Sequence, residues 1–220
     1  MSMYDSRLQL RRGFYLVMTR PRHGYEHLCA CAVEAGIAAV QLRTKGLGGE
    51  EELTLARRLR ALTKGSSTLF IVNDRAEIAL ESDADGLHIG QDDLSATEAR
   101  RLIGPDKLLG LSTHNLDQVT RAQHEPVDYI GFGPLYPTNS KMRPDPVVGP
   151  DALEDAWRCN RHPIVAIGGL DHDRIRKLGP YAHNVAVIRA VTEAKDPLRT
   201  MRMLQASFLA KPVPDAVALG

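Results

Sequence analysis

Eight short apolar runs, each followed by a stretch of helical spacing, constrain this chain more than any other feature of its sequence. The runs cover residues 14–19, 38–43, 68–72, 86–89, 108–111, 128–132, 164–167 and 185–188. They are continuously apolar, as strands buried on both faces of a parallel sheet must be. Helices are predicted between them. Residues 25–35 stop at Gly36. Residues 50–63 carry acids in the first turn and place Leu55, Leu59 and Leu62 on one face, as a helix dipole and a core both favour. Ser95 and Glu98 form a capping box, and Asp196-Pro197 opens a last helix bearing Leu198, Met201, Leu204 and Phe208. This alternation predicts an α/β chain folded as a single-domain (β/α)8 TIM barrel, which 220 residues can just complete. An open doubly wound sheet has the same alternation. The expected organisation is an N-terminal leader at 1–12, the barrel at 13–210 and a C-terminal tail at 211–220.

Charge and hydropathy narrow the function classes. A formal net charge of +1 marks the surface for neither nucleic acid nor an anionic membrane. No apolar run reaches a membrane span, and the first residues lack a signal-peptide core. The three cysteines, Cys29, Cys31 and Cys159, form no CxxC pair and no even set. They are expected to be small core residues in a reducing cytoplasm.

In a barrel, chemistry collects at the C-terminal ends of the strands, and that is where this chain places its polar residues. The second strand ends in Gln41, Arg43 and Lys45, the third in Asn73 and Asp74, and the fourth runs through His88 to Gln91 and Asp93. The fifth ends in Ser112, Thr113 and His114. The sixth breaks at Gly131, Gly133 and Pro134 and delivers Thr138, Ser140 and Lys141. The seventh ends in Gly168-Gly169 and the eighth at Ile188-Arg189. A strand opening into a glycine-rich loop with hydroxyls and a lysine has what phosphate binding requires, although an ordinary turn has the same glycines.

Arg43 and Lys45 make either a forked anion clamp or a solvated basic edge. Asp74 and Asp93 offer two hard carboxylates to a Mg²⁺ ion shared with phosphate oxygens, or they cap loops, the role expected of Asp92. His88 is expected to be a satisfied core histidine, whereas His114 sits where a functional role is more natural. The result is a site with two anion-binding halves, one suited to a magnesium diphosphate and one to a monophosphate. A transfer reaction between two phosphorylated small molecules follows. The long segment 136–149, rich in proline, is expected to act as a lid.

With these residues in view, the chain resembles the thiamine-phosphate synthase family. The resemblance rests on QLRTK at 41–45, ND at 73–74, HIGQDD at 88–93, LSTH at 111–114, GFGPLYPTNSK at 131–141, VVG at 147–149 and AIGG at 166–169. It implies a TIM barrel that joins hydroxymethylpyrimidine diphosphate to a thiazole phosphate with loss of pyrophosphate. Gln41 would then bind the pyrimidine. Arg43, Lys45, Asn73, Ser112 and Lys141 would hold the diphosphate, with Arg43, Lys45, Ser112 and Lys141 serving catalysis. Asp74 and Asp93 would carry Mg²⁺. Thr138, Ser140, Gly169 and Ile188 would receive the thiazole phosphate, and Asn139 and Arg189 are further substrate-binding candidates.

Two positions depart from the family pattern. Thr44 replaces an acid, and Arg189 stands where a small serine commonly closes the acceptor pocket, so it pairs with the phosphate, fills the pocket or turns outward to Glu193. Two alternatives accompany the synthase reading. One is a thiazole tautomerase of the same fold using His114, and the other is a non-catalytic thiamine-precursor-binding protein. The expected partners are small phosphorylated substrates, with no nucleic acid or membrane partner. The oligomeric state is left open, a homo-oligomer included.

Overall fold

The computed structural model describes residues 8–44, 46–138 and 145–212. Its strands are β1 (Gly13–Met18), β2 (Ala39–Leu42), β3 (Leu69–Asn73), β4 (Gly86–Ile89), β5 (Leu108–Thr113), β6 (Tyr129–Phe132), β7 (Ile164–Ile167) and β8 (Asn184–Val187). All neighbours pair in parallel and β8 returns to β1, so the sheet is a closed eight-stranded barrel and not the open alternative. The helices are α1 (Tyr25–Ala35), α2 (Gly49–Thr63), α3 (Ala76–Glu81), α4 (Ala96–Ile103), α5 (Leu116–Ala122), α6 (Ala152–Arg158), α7 (His172–Lys177), α8 (Arg189–Thr192) and α9 (Pro197–Leu209).

Each strand has two buried faces that do different work. Phe14, Leu16 and Met18 of β1, with Val40, Leu42, Phe70 and Val72, point outward into the layer beneath the helices. There they meet Leu28, Cys29 and Ala32 of α1 and Met201, Leu204 and Phe208 of α9. Each large side chain buried there contributes about 1.5–3 kcal/mol. The alternate residues Tyr15, Val17, Ala39, Ile71, Leu108, Tyr129, Val165 and Ala186 fill the lumen as a second cluster. Register joins them around the ring, with Tyr15 opposite Ala39 and Ala186, and Gly110 opposite both His88 and Tyr129.

Caps and ion pairs set the boundaries. Both bonds of the Ser95–Glu98 capping box are present, and Asp196 caps α9 with Pro197 inside its first turn. Carboxylates brace the N-terminal end of the barrel, where conservative stability work is done by such folds. Asp85 accepts from Phe70 N–H at 2.8 Å and from Arg60, and Asp128 accepts from Leu109 N–H at 2.7 Å and from Arg100 at 2.6 Å. Among the described residues, no helix is long and apolar enough to cross a membrane. Cys29 and Cys31 are buried and Cys159 is half-buried, and burial, with the Glu26 charge beside it, pushes the Cys29 thiol up to about 12.

Candidate active site

The C-terminal mouth of the barrel opens into a cavity of about 930 Å³. Every described residue expected at the site lines it: Gln41, Arg43, Asn73, Asp74, Asp93, Ser112, Thr138, Gly169, Ile188 and Arg189. Lys45, Asn139, Ser140 and Lys141 lie outside the described residues, as does the middle of the segment expected to be a lid.

The β2 side carries the cationic half. Gln41 is the last inward residue of β2 and is buried. Arg43 follows with its backbone N–H on Met18 O. Its Nη1 is buried yet has no hydrogen-bond partner. An orphaned guanidinium N–H in a cavity wall costs desolvation until an acceptor arrives. The next residue, Thr44, donates to Glu52 at 2.7 Å, and buried Glu52 also takes Arg75 at 3.1 Å. That pair ties the loop after β2 to α2. It gives the departure at Thr44 a local structural role.

Asn73, the last residue of β3, stands in register with His88. Asp74 follows in the left-handed region at φ 64°, its N–H on His88 O at 2.8 Å. Asp93 sits in the turn after β4, where Oδ2 accepts Gly90 N–H at 2.7 Å, so this side chain also holds its own loop. Both carboxylates are solvent-exposed within the cavity wall. Two hard oxygen donors from neighbouring strand ends fit a Mg²⁺ that completes its shell with phosphate oxygens and water. Among the described residues, no group of three or more His, Cys, Asp or Glu could cage a metal unaided. A metal ion on these two carboxylates would need further oxygens, from water or from a bound phosphate, to complete its shell.

The opposite wall is glycine-rich. Gly168 and Gly169 adopt φ 107° and 62°. A Cβ on Gly168 would strike Pro134, and one on Gly169 would strike Pro137 O and Tyr136. Only glycine allows this backbone to turn there and still lie against a ligand. Arg174 of α7, which sequence reasoning missed, braces the turn. It donates to Gly169 O, and its guanidinium lies 4.7 Å over the Tyr136 ring. Arg189 begins α8 at the rim with Ile188 before it, and it pairs with Glu193 at 2.9 Å. The structure therefore displays the outward arrangement of Arg189, while both partners line the cavity.

His114 lies just past β5, its Nδ1 2.6 Å from Gly133 O and its Nε2 3.7 Å from Asp145. His88, expected to be satisfied, is bonded to Tyr129 and Ser112 but also faces the cavity. Tyr15 and Tyr129 on the cavity floor were not expected at the site. Their signal was a phenol within an otherwise apolar run, where the hydroxyl must find a partner.

Comparison with known proteins decides the family. The model of the thiamine monophosphate synthase family matches residues 14–191. The chain belongs to the thiamine monophosphate synthase family. It is 42% identical over 176 residues to the thiamine-phosphate synthase of Chlorobium luteolum, covering 80% of this chain and 83% of that one. It is 37% identical over 203 residues to the thiamine-phosphate synthase of Salinibacter ruber, covering 92% and 88%. The solved thiamine phosphate pyrophosphorylase of Pyrococcus furiosus superposes with a TM-score of 0.81 at 30% identity, over 90% of this chain and 96% of that one.

Proposed function

We propose that this cavity joins hydroxymethylpyrimidine diphosphate to a thiazole phosphate, yielding thiamine monophosphate and pyrophosphate. The observation that carries the reading is a single cavity with two unlike walls. Arg43, Asn73, Asp74 and Asp93 stand on one wall and the Gly168–Gly169 turn on the other. Gln41 holds the pyrimidine ring. The buried Nη1 of Arg43 and the Ser112 hydroxyl meet the diphosphate, joined by Lys45 and Lys141 as the family resemblance implies. The bond between the pyrimidine methylene carbon and the diphosphate oxygen breaks, its electron pair leaving with the pyrophosphate. The thiazole nitrogen then supplies the pair for the new carbon–nitrogen bond. Charge neutralisation and positioning do this work, with little need for general acid or base catalysis. Mg²⁺ on Asp74 and Asp93, when bound, neutralises charge on the departing oxygens. The enzyme is read as a cytoplasmic one.

A proton-transfer reading, the tautomerase, draws on His114, whose Nδ1 is anchored on Gly133 O and whose Nε2 faces the cavity near Asp145. Pyrophosphate release separates the two. The transfer reading expects release only when both substrates and Mg²⁺ are supplied. Acceptor isomerisation without pyrophosphate, unaffected by chelator, would replace it with the tautomerase.

A further inference from the structure

The cavity floor holds a run of hydrogen bonds that crosses the barrel lumen. Gln41 Nε2 donates to the Tyr15 hydroxyl at 3.0 Å, and the Tyr15 and Tyr129 hydroxyls are 3.1 Å apart. Tyr129 OH lies 3.2 Å from His88 Nδ1, and His88 Nε2 lies 2.9 Å from Ser112 Oγ. Side chains from β2, β1, β6, β4 and β5 thus connect the two ends, Gln41 and Ser112, both cavity residues. Gly110 makes the crossing feasible, because a Cβ there would come within 2.2 Å of the Tyr129 ring and 2.5 Å of His88 Nδ1. Burial raises the pKa of both phenols, so each keeps its proton and has one hydrogen bond to give.

We propose that this run is a one-way relay in which Tyr15, Tyr129 and His88 are positioning residues that aim the Ser112 hydroxyl proton at the departing diphosphate. The proposal rests on the transfer reading above. Its direction follows from counting donors. The amide nitrogen of Gln41 can only donate, so the Tyr15 oxygen accepts and its proton turns to Tyr129. The Tyr129 proton in turn goes to His88 Nδ1. A neutral imidazole that accepts at Nδ1 carries its proton on Nε2, and that proton goes to Ser112 Oγ. The Ser112 proton is thereby turned away from His88 and into the cavity. No proton changes owner along the relay. In the reverse direction Ser112 would donate to His88 and show only lone pairs to an anion. The histidine tautomer therefore decides whether Ser112 attracts or repels the leaving group. At the other end, the same orientation leaves Gln41 its carbonyl oxygen and one N–H for the pyrimidine ring.

The first arm of the test needs no substrate. The intact protein is labelled with ¹⁵N-histidine, and the His88 signals are assigned by their loss in His88→Gln. Protonated Nε2 with bare Nδ1 is expected, and the opposite tautomer overturns the relay. In Tyr129→Phe the tautomer lock is removed and both forms should be populated. Tyr15→Phe replaces that variant if it fails to fold.

The second arm is kinetic. Tyr129→Phe should lower kcat about ten- to hundredfold, the worth of one hydrogen bond to a charged group, with KM for the diphosphate substrate little changed. In a Ser112→Ala background the same change should cost at most about twofold, because the aimed proton is gone. A full, multiplicative loss in the double variant would overturn the proposal. A wild-type chain that releases no pyrophosphate sinks the transfer reading, whereas the tautomer result still decides the direction of the relay.

Discussion

Gly110→Ala is the substitution for which the barrel lumen makes the sharpest demand. The added methyl would overlap the Tyr129 ring and His88 Nδ1. Neither neighbour can give way cheaply. Tyr129 is 1% exposed, and its hydroxyl is bonded to Tyr15 on one side and His88 on the other. Overpacking of a dense core costs about 1–3 kcal/mol. Displacing one bond of a buried polar run costs about 1–3 kcal/mol more. A sum of about 2–6 kcal/mol corresponds to a fall in Tm of roughly 4–24 °C for a domain of this size. Gly131→Ala is the internal control, because its nearest neighbours are His88 Cε1 at 3.3 Å and Nε2 at 3.6 Å. A shift of a few tenths of an ångström absorbs that methyl, and a change under about 1 kcal/mol is expected. Thermal unfolding of both variants beside the wild type reads the difference. Equal stability of the two variants would refute the packing argument, since it would mean the lumen is looser than the positions of Tyr129 and His88 require.

Other predictions test the site and its surroundings. Arg43→Ala removes a charge-assisted contact of roughly 1.5–3 kcal/mol, so kcat should fall about ten- to hundredfold. Its Tm should not fall, because the buried Nη1 has no partner in the folded protein to lose; a large Tm drop would mark Arg43 as structural. Asp74→Asn and Asp93→Asn are preferable to alanine. Asparagine tolerates the left-handed backbone at 74 and retains an oxygen for Gly90 N–H at 93. Each should shift the Mg²⁺ dependence of turnover to higher concentration with Tm unchanged, and an unaltered Mg²⁺ titration would remove these carboxylates from the metal site. Burial lowers the pKa of His162 and of His183, the latter helped by Arg12. The unfolded chain then binds more protons near the ordinary histidine pKa of about 6.5. Stability is therefore full above that value and is lost as pH falls through it towards the folded pKa. The single tryptophan, Trp157, stacks on His183 at 4.9 Å, so its fluorescence reports that titration; a urea midpoint that stays flat from about pH 7.5 to 5 would contradict the sign.

Much of this fold was legible in the sequence, for a physical reason. Strands buried on both faces have no polar alternation to confuse, so β4 and β7 begin and end where their apolar runs do. Caps are equally local, and Ser95 and Asp196 act where their spacing said. What was missed depends on closure of the barrel. β5 runs two residues past its apolar stretch, because Ser112 turns inward to His88 and Thr113 bonds Gly131 O at 2.9 Å. Those partners are supplied by other strands. Tyr15 and Tyr129 meet across 114 positions of sequence, which no local pattern announces. Helix α8 is a single turn without a side-chain cap, too short to leave a periodic signature. Arg174 reads as one basic residue on a basic helix until the Gly169 turn folds against it. The strand-end residues were legible as a group because the barrel brings all eight ends to one face.

The activity proposed for this cavity is the joining of two phosphorylated substrates at a carbon–nitrogen bond. Phosphorus-31 NMR of the wild-type chain with hydroxymethylpyrimidine diphosphate, thiazole phosphate and Mg²⁺ tests it most directly. Pyrophosphate should appear in step with conversion of the thiazole phosphate signal to that of thiamine monophosphate, and neither change should occur when one substrate is left out. A diphosphate signal that persists unchanged, or pyrophosphate released with the thiazole phosphate untouched, would contradict it.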